Sequence, residues 1–381
     1  MRQNRDTQGV VQKCAELSAA ERIWEQLNQE RTPEDLHDTL PGFGAWARSD
    51  PQAQPLPLWV AYRGDEPVAL LPARRQWQRV KGVKLGVLEA AGNDHWRAGS
   101  PLVGRDPEGS ITALLEGLCR QGGWDVMELG PMSQECEMLE LLVSQGRRLG
   151  LRPQTQCAKE DPVVKLTGSW EAYYGGLSSR FRAKVRRAEL KLDQEGPVRL
   201  EEHLGGPELE SRLEEFYGVE ASGWKGREGT AILNDAHARR FYTRLAHEGA
   251  RRGWLRLYIL RVGPQCVAAD YCLAYQRTVY MLRVGYDERW SHYSPGQVMR
   301  KRVLEHLFSS GRDDIYDLMP GGGDHRAYKM RWANLVRQRV VVRLFNPRSV
   351  RGQLAAGAYR LRAWLREQGS EALPSAASGA G

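Results

Sequence analysis

The sequence predicts an α/β fold made of two similar halves, and three observations support this prediction. Segments with the apolar spacing of amphipathic helices alternate with short apolar strands along most of the chain. The pattern G-x-x-x-V-A occurs twice, at Gly64–Ala69 and at Gly263–Ala268, each time after an apolar strand that contains an aromatic residue. The length of 381 residues is too large for one ordinary core and suits two or three domains of roughly 100–200 residues each.

The composition excludes several classes of protein. Hydrophobic residues make up 41% of the chain and charged residues 27%, which is typical of a globular protein. No stretch approaches the ~18 consecutive apolar residues of a membrane-spanning helix, and residues 1–6 lack the apolar segment of a secretory signal, so we expect a cytoplasmic location. The six cysteines contain no C-x-x-C pair and the eight histidines no H-E-x-x-H motif, so the sequence predicts no metal site.

In the first half, the spacing of apolar residues predicts three helices and three strands. The first two strands flank the turn Gly64–Pro67 and should form a hairpin. The predicted helices are Ala15–Gln29, Ile111–Gln121 and Cys136–Gly146, and the predicted strands are Leu58–Tyr62, Val68–Leu71 and Trp124–Leu129.

The second half repeats this alternation. Asn234 and Asp235 are good N-cap residues for a helix that stops before Gly253. Further helices are predicted at Pro207–Ser222, Ser294–Phe308 and Arg348–Gln368, and strands at Leu255–Val262, Cys266–Tyr275, Thr278–Tyr286, Ile315–Met319 and Val336–Phe345. Residues Ser370–Gly381 are rich in Ser, Ala and Gly with one Pro and should form a frayed tail.

The positive charge is concentrated in two blocks. The formal net charge is +8, yet residues His325–Arg366 contain eleven basic residues and no acidic one. A second block, Arg180–Lys191, contains six basic residues and one acidic residue. Localised basic charge favours an anionic partner, such as the phosphates of a co-substrate, a nucleic acid or a membrane surface, although each block could also be a solvated helix face.

Several short motifs in the second half resemble one protein family. The residues Gly285-Tyr-Asp287, Tyr293-Ser-Pro-Gly296, Tyr316-Asp317 and Tyr328-Lys329 resemble acetyltransferase-like proteins associated with cellulose and exopolysaccharide biosynthesis. These proteins are a branch of the GCN5-related N-acetyltransferase (GNAT) superfamily and are similar to the Fem-type ligases that build peptidoglycan cross-bridges. The block from Ser178 to Leu192 looks like the basic helix that opens the second module there. The resemblance covers most of residues 160–345.

The resemblance implies tandem GNAT-like domains, each a twisted mixed β-sheet flanked by helices. We expect an N-terminal domain at residues 1–155, a C-terminal domain with the acyl-donor site at 156–346, and a basic helix with a flexible tail at 347–381. In the C-terminal domain, the strand Thr278–Tyr286 should splay from the strand Ile315–Met319. The helix that starts at Gly296 should lie at this splay.

The segment Ser294-Pro295-Gly296-Gln297 is the expected donor site. Proline fits the first turn of a helix, and the free N–H groups and dipole there attract anions. The resemblance implies that this position holds the pyrophosphate of acyl-CoA or the phosphate of an acyl-pantetheine on a carrier protein, with Lys329 as a further phosphate ligand. The sequence departs from the family's glycine-rich R/Q-x-x-G-x-G/A loop, because Ser291–Gly296 stands in its place.

Direct acyl transfer from a thioester to an amine needs a base, a polarised carbonyl and a proton for the leaving thiolate. Asp317, at a strand end beside the expected splay, is a candidate base or amine ligand, and its alternative role is to orient the loop Gly321–Gly323. Tyr286 and Tyr328 are the candidate proton donors, and their alternative role is packing.

Four further residues are candidates for substrate binding. Arg283 lies in the middle of a predicted strand and needs a partner if it points inward, and Asp270 on the neighbouring strand is the expected one. This pair is either structural or lines the acceptor site. Trp224 and Lys225 lie in a glycine-rich segment that is either a mobile lid over the substrate or an ordinary turn.

The predicted helix near the C-terminus combines apolar and basic residues. Leu354, Leu361, Trp364 and Leu365 alternate with five arginines between Arg348 and Arg366. Such a helix suits peripheral contact with the inner membrane or with an acidic acyl carrier protein, or it packs on the body of the protein with its arginines in water.

Three functions are therefore open. The first is an N-acyltransferase of the GNAT class that uses acyl-CoA or an acyl carrier protein to acylate an amine, on a small molecule or glycan, or a sugar, in envelope or exopolysaccharide synthesis. The second is a Fem-like ligase with an aminoacyl-tRNA donor, and outside this alternative we expect no nucleic-acid partner. The third is a non-catalytic binding module in a polysaccharide synthesis complex.

Overall fold

The computed structural model describes residues 10–14, 16–80, 83–321 and 323–371. These residues form one mixed β-sheet of 13 strands with helices on both faces. No helix in this described part is long and apolar enough to cross a bilayer.

The first half contributes seven strands and four α-helices. They are β1 (Val10–Cys14), α1 (Leu17–Glu30), α2 (Leu40–Ser49), β2 (Leu58–Arg63), β3 (Glu66–Val80), β4 (Val83–Ala90), β5 (Leu102–Val103), α3 (Pro107–Gln121), β6 (Val126–Ser133), α4 (Glu137–Arg148) and β7 (Arg152–Lys165).

The second half contributes six strands and eight α-helices. They are α5 (Trp170–Gly176), α6 (Ser179–Glu195), β8 (Val198–His203), α7 (Leu209–Ala221), α8 (Trp224–Arg227), α9 (Ala236–Arg251), β9 (Leu255–Val262), β10 (Gln265–Tyr275), β11 (Thr278–Tyr286), α10 (Pro295–Ser310), β12 (Ile315–Asp317), α11 (Gly323–Met330), β13 (Leu335–Phe345) and α12 (Val350–Glu371).

The two halves repeat the same order of elements. Strands β1 to β4 pair in sequence as an antiparallel meander, and so do β8 to β11. A helix then crosses over to a parallel strand, β6 beside β4 and β12 beside β11. The two G-x-x-x-V-A motifs form the equivalent hairpins β2–β3 and β9–β10, whose turns begin with Gly64 at φ 62° and Gly263 at φ 56°. The expectation of two related halves agrees with this repeat.

The last strand of each half pairs with the sheet of the other half. β7 lies beside β12, β13 lies beside β6, and β7 and β13 pair with each other from Val163 opposite Leu335 to Arg152 opposite Phe345. The halves therefore share one continuous sheet, in the order β1-β2-β3-β4-β6-β13-β7-β12-β11-β10-β9-β8, with β5 paired to β3. The expected domain boundary at 155/156 falls inside β7, and the division into domains stays a prediction.

Helices cover both faces of the sheet. One face carries α1 and α2 from the first half and α7 and α9 from the second, in a single hydrophobic core that spans both halves. On the other face, α3 and α4 pack on the first half and α6 and α10 on the second, in two separate cores. The helix α12 packs over β4 and β13 in a fourth small core.

Most predicted helices are confirmed within a few residues, while the strands differ more. The predicted strand Val68–Leu71 is part of the longer β3, and the predicted strand Ile315–Met319 was too long, because β12 ends at Asp317. Five strands were not predicted: β1, β4, β5, β7 and β8. The predicted tail starts later, because α12 continues to Glu371, and residues 372–381 lie outside the described residues.

A buried ionic cluster lies where the two halves meet. Arg339 of β13 bonds to Asp161 of β7 through Nε at 2.5 Å and to Asp35 of the first half through Nη1 at 2.5 Å. Arg339 and Asp161 are buried. Although burial of Asp35 acts to raise its pKa, the positive charge of Arg339 and hydrogen bonds from His37 hold that pKa well below its usual range.

Arg339→Ala should destabilise the protein strongly, because it leaves the buried Asp161 carboxylate without its cation. We expect the free energy of unfolding to fall by about 3–5 kcal/mol in chemical denaturation. Arg239→Ala is the matched control, because Arg239 pairs with Glu214 on the surface, where solvent screens the pair and its contribution to stability is small. Equal losses in the two variants would contradict a structural role for the buried cluster.

Candidate active site

The parallel strands β11 and β12 separate after a short pairing. Within the described chain they pair at three positions, and the last of these is Tyr280 opposite Asp317. The chain then follows β7 instead, because the amide of Leu318 donates to the carbonyl of Pro162 at 3.1 Å. Meanwhile β11 continues for six more residues, to Tyr286. The expected splay is therefore present, and we call the Tyr280–Asp317 pair its apex.

A β-bulge lies on β11 just beyond the apex. Met281 faces Cys272 of β10 and Arg283 faces Tyr271, so Leu282 is the extra residue. A bulge increases local twist and bends its strand, which turns the second part of β11 away from the direction of β12. The sequence analysis did not predict this bulge.

The helix α10 begins at the open side of the splay without a side-chain cap. Ser294 precedes it in the left-handed conformation (φ 55°) and Pro295 occupies its first turn, and within the described residues no side chain caps this end. The equivalent helix of the first half, α3, differs, because the carboxylate of Asp106 accepts from the amide of Gly109 at 3.0 Å. The carbonyl of Ser294 accepts from the amide of Gln297 at 2.9 Å, so the amide of Gly296 and the helix dipole are what the start of α10 offers to an external anion, while the start of α3 already faces the carboxylate of Asp106.

The gap between β4 and β6 in the first half is filled by the chain itself. The amide of Gly130, on β6, donates to the carbonyl of Gly99 in the loop that follows β4, at 2.8 Å. The buried carboxylate of Asp38 holds this loop, because it accepts from the amides of Gly99 and Ser100 at 2.8 and 3.1 Å. The two halves therefore share a topology, but among the described residues no loop bonds through its backbone to β11 beyond the apex in the way that the Gly99 loop bonds to β6.

Three predicted site residues meet at the start of α10. The hydroxyl of Tyr328, on α11, donates to the carbonyl of Gly296 at 2.8 Å. A Cβ placed on Gly296 would lie 3.9 Å from the ring of Tyr286, so Tyr286 borders the same point. Burial raises the pKa of Tyr328 even though the nearby Arg300 acts to lower it. Tyr328 therefore holds its proton at neutral pH, as a proton donor must.

The predicted pairing of Asp270 with Arg283 was wrong. Asp270 lies opposite Val284, while Arg283 lies opposite Tyr271 and therefore points to the other face of the sheet. The partner of Asp270 is the buried Arg300 of α10, at 2.8 Å.

Arg300 connects the apex to the proton-donor candidates. Its guanidinium contacts the hydroxyl of Tyr316, the residue before Asp317, and it also bonds to Tyr328. The sequence analysis missed Arg300, although a signal existed. Arg300 precedes Val303, Leu304 and Leu307 at the spacing of one helix face, and this spacing indicates a charge on the buried face of the helix.

Arg283 instead joins the second half to the first. Its Nε donates to the hydroxyl of Tyr242 at 2.6 Å, and its Nη2 lies 2.6 Å from Nδ1 of His95. Burial and the positive charge of Arg283 lower the pKa of His95, so the neutral imidazole can accept this hydrogen bond. The predicted roles of Asp270 and Arg283 toward a substrate stay predictions.

Asp317 is fully buried, with 0% exposure, at the apex. One carboxylate oxygen accepts from the amide of Met319 at 2.7 Å. Burial and the nearby Asp161 raise its pKa to about 6, against the opposing effect of Arg339. Since neighbouring residues of a strand point to opposite faces, Asp317 lies on the face opposite Tyr316 and its Arg300–Tyr328 contacts. The base and acid candidates thus flank the apex from two sides.

Gln297 and Lys329 are held by neighbours inside the protein. The amide oxygen of Gln297 accepts from the indole of the buried Trp332 at 3.1 Å, a contact that the sequence analysis missed. The ammonium of Lys329 donates to the carbonyls of Met319 and Pro320 at 3.1 and 3.3 Å. Lys329 thereby fixes the loop after β12, and its role toward a phosphate stays a prediction.

The predicted lid lies next to the end of β11. Trp224 and Lys225 begin the short helix α8, and their side chains lie outside the described residues. Ser222, two residues before Trp224, contacts the end of β11, because its hydroxyl donates to the carbonyl of Tyr286 at 3.1 Å. Whether this segment is a lid stays a prediction.

A cavity of about 330 Å³ lies between the halves, on the face of the sheet opposite α10. It is lined by carboxylates, among them Asp35 and Asp38, and by Arg337 and Arg339. Tyr280, the strand partner of Asp317, is part of its wall, so the cavity approaches the apex from the side on which Asp317 lies.

Among the described residues no group of three or more His, Cys, Asp or Glu side chains could hold a metal ion.

The comparison with protein families agrees with this geometry. Residues 179–332 match the family described as acetyltransferase (GNAT) domain, from the start of α6 to just beyond α11. The matched range contains the splayed strands and the uncapped helix.

Solved structures resemble most of the chain in fold. FemX matches with a TM-score of 0.52 and 10% identity, over 87% of this chain and 96% of its own. The C-terminal domain of a protein described as a lysylphosphatidylglycerol synthetase, from Agrobacterium fabrum, matches with a TM-score of 0.51 and 13% identity, over 90% and 97%. A protein of unknown function from Bacteroides thetaiotaomicron matches with a TM-score of 0.53 and 12% identity, over 87% of this chain and 98% of its own. No curated protein matches significantly. At these identities the likeness concerns the fold alone.

Asp317→Asn should stabilise the protein, and more so at neutral than at acidic pH. A carboxyl whose pKa is raised in the fold binds its proton more tightly there than in the unfolded chain, so its ionisation costs stability as pH rises from about 4 to above 6. Asparagine stays neutral, so the stability gained over the wild type should grow by about 2 kcal/mol between about pH 4.5 and 7.5 in urea denaturation.

Asp314→Asn is the control for this measurement. Arg277 lowers the pKa of the exposed Asp314, so ionised Asp314 adds stability above its unfolded pKa. The stability of Asp314→Asn relative to the wild type should therefore fall as pH rises, which is opposite to the change expected for Asp317→Asn. A pH-independent difference between wild type and Asp317→Asn would show that Asp317 is not the buried, high-pKa group described above.

Proposed function

We propose that the protein is an N-acyltransferase that moves an acyl group from a thioester, acyl-CoA or an acyl-pantetheine on a carrier protein, to an amine. The observation that carries this proposal is the combination at the C-terminal splay. There β12 stops pairing with β11 after the apex, so the edge of β11 beyond this point is left without a parallel neighbour. The positive end of α10, which has no side-chain cap, lies at the opening of this gap. The matching GNAT domain supports the same class of reaction.

The start of α10 suits the phosphates of such a donor. The helix dipole and the amides from Gly296 onward favour an anion, whereas Pro295 itself has no N–H to offer. The pantetheine arm would then lie in the gap, with an N–H group of β11 beyond the apex available to the thioester carbonyl. The thioester supplies an activated acyl group.

The residues around the apex can move the two protons that the reaction requires. As the amine nitrogen forms its bond to the acyl carbon and the C–S bond breaks, the amine loses a proton and the thiolate gains one. Asp317, ionised above about pH 6, takes the amine proton directly or through water. Tyr328 donates a proton to the sulfur, and Arg300 beside it stabilises the phenolate that forms.

The cavity between the halves suits the acceptor. Asp35 and Asp38 already serve Arg339 and the Gly99 loop, but the wall also includes the exposed carboxylate of Glu135, which favours a cationic amine before its deprotonation. The arginines of the wall favour anionic or polyhydroxylated parts of the same molecule. We therefore propose an amine of a small molecule or a glycan as the acceptor. The setting in envelope or exopolysaccharide synthesis comes from the resemblance alone and stays a prediction.

Coenzyme A should protect the start of α10 from amide exchange. At saturating CoA we expect slower exchange at Gly296–Met299 and no change at Gly109–Ala113 of α3, where Asp106 already occupies the helix end. Ser294→Asp should weaken CoA binding about tenfold or more, because it places a carboxylate where the phosphate binds, and neutral Ser294→Asn should not. Equal affinity of the two variants would contradict the proposed phosphate site.

Tyr328→Phe should lower kcat by about a hundredfold and leave the KM for the donor nearly unchanged, because the hydroxyl acts on the leaving thiolate. The assay is thiol release from acetyl-CoA with amino-sugar acceptors such as glucosamine. Tyr217→Phe is the control, since its hydroxyl bonds to Thr243 away from the site. An unchanged kcat in Tyr328→Phe would remove Tyr328 from the mechanism. CoA binding without turnover on any acceptor would favour the non-catalytic binding module.

One observation favours the Fem-like alternative, an aminoacyl-tRNA donor. On α6, which packs beside α10, four basic residues recur at the spacing of one helix face and all are exposed: Arg180, Lys184, Arg187 and Lys191. Such a stripe suits the phosphates of a nucleic acid. Binding of tRNA that weakens steeply with salt and is lost on replacing Lys184 and Arg187 by glutamine would favour this alternative over acyl-CoA.

A further inference from the structure

The C-terminal helix α12 carries an apolar ridge that faces away from the protein. Val350, Leu354 and Leu361 are 76, 69 and 58% exposed, the highest values for large apolar residues in the described part of the chain. At 3.6 residues per turn, these three positions fall within an arc of about 40° on the helix surface. The three side chains therefore lie on one face of the helix, with Gly357 between Leu354 and Leu361, and are not exposed on separate faces.

The opposite side of α12 attaches the helix to the sheet. Gly352 and Ala356 are buried, and a Cβ on Gly352 would lie 2.4 Å from the carbonyl oxygen of Asp125, so only glycine allows this close approach. Tyr359 packs on Phe345 at 5.6 Å between ring centroids. The core of the protein thus uses one face of α12 and leaves the apolar ridge unused.

The surroundings of the ridge are basic. Arg348, Arg351 and Arg360 are exposed beside it, and residues 350–361 contain no acidic side chain. Two nearby carboxylates have cationic partners, since Asp125 lies 3.4 Å from Arg351 and Glu128 lies 2.6 Å from Arg343. The ridge therefore presents apolar and positively charged groups together.

An exposed tryptophan lies at the beginning of α12. Trp77 of β3 is 48% exposed, and its ring lies 5.1 Å from the Arg351 guanidinium and 5.1 Å from the Lys84 ammonium. Tryptophan with flanking Lys and Arg is the side-chain combination that favours the headgroup region of a membrane.

We propose that α12 docks the protein on an anionic lipid bilayer, with the ridge Val350–Leu354–Leu361 in the headgroup region and the arginines on lipid phosphates. Charge complementarity argues for this partner. A second copy of the chain would bring like charges together, and a nucleic acid would bind the arginines and leave the ridge in water. The proposal is independent of acyl transfer, because vesicle binding is measured without turnover.

The test is flotation of the full chain with lipid vesicles at about 0.15 M salt. We expect binding to phosphatidylcholine vesicles that contain about 30 mol% phosphatidylglycerol, at least tenfold weaker binding to pure phosphatidylcholine, and weakening with added salt. Leu354→Ser with Leu361→Ser should reduce binding to the anionic vesicles about tenfold or more. Arg348→Gln with Arg360→Gln should reduce it several-fold.

The matched control is Leu190→Ser with Leu204→Ser, two exposed leucines on other elements. Thermal unfolding of each variant verifies that the fold is kept, and we expect the control to bind like the wild type. The proposal fails if the wild type does not float with anionic vesicles, or if the two leucine pairs lose binding equally. It also fails if the α12 leucine variant binds like the wild type, which would leave the ridge to an acidic protein partner.

Discussion

The pairing of β12 with β7 is the constraint on which the proposed site depends. β12 has only three residues, and the chain beyond it bonds to Pro162 of β7 and not to β11. The second part of β11 is therefore left without its parallel neighbour, and the bulge at Leu282 turns it further away. Because β7 comes from the first half of the chain, the geometry of the second half's site is set by a strand exchanged between the halves.

The two halves show how one topology can be used in two ways. Both contain a parallel strand pair that separates after three residue pairs and a crossover helix at the gap. In the first half the Gly99 loop fills the gap and Asp106 neutralises the helix end. In the second half the helix end lacks such a cap, and the ionisable groups Asp317 and Tyr328 flank the apex from opposite faces of the sheet. These differences, and not the fold, are the reason that we propose the second half as the site of the chemistry.

Much of the architecture could be predicted from the sequence, and the reasons for the failures are physical. Helices such as α7 and α9 have one apolar face, and the strands β9 to β11 are almost continuously apolar, so their patterns are clear. β7 was missed because its first part is polar and largely exposed, and it is held by strand pairing and not by burial. Asp270 was assigned the wrong partner because its true partner, Arg300, is brought close by tertiary packing. The meeting of Tyr286, Gly296 and Tyr328 could be expected only in part, since it depends on where α11 lies.

The most direct measurement of the central claim is a crystal structure of the protein with coenzyme A at saturating concentration. The account predicts pyrophosphate density at the amides that begin α10 and a pantetheine arm between β11 and the end of β12, with its thiol near Asp317 and Tyr328. Coenzyme A bound in the first half, or strands β11 and β12 paired along their full length with the ligand elsewhere, would contradict it.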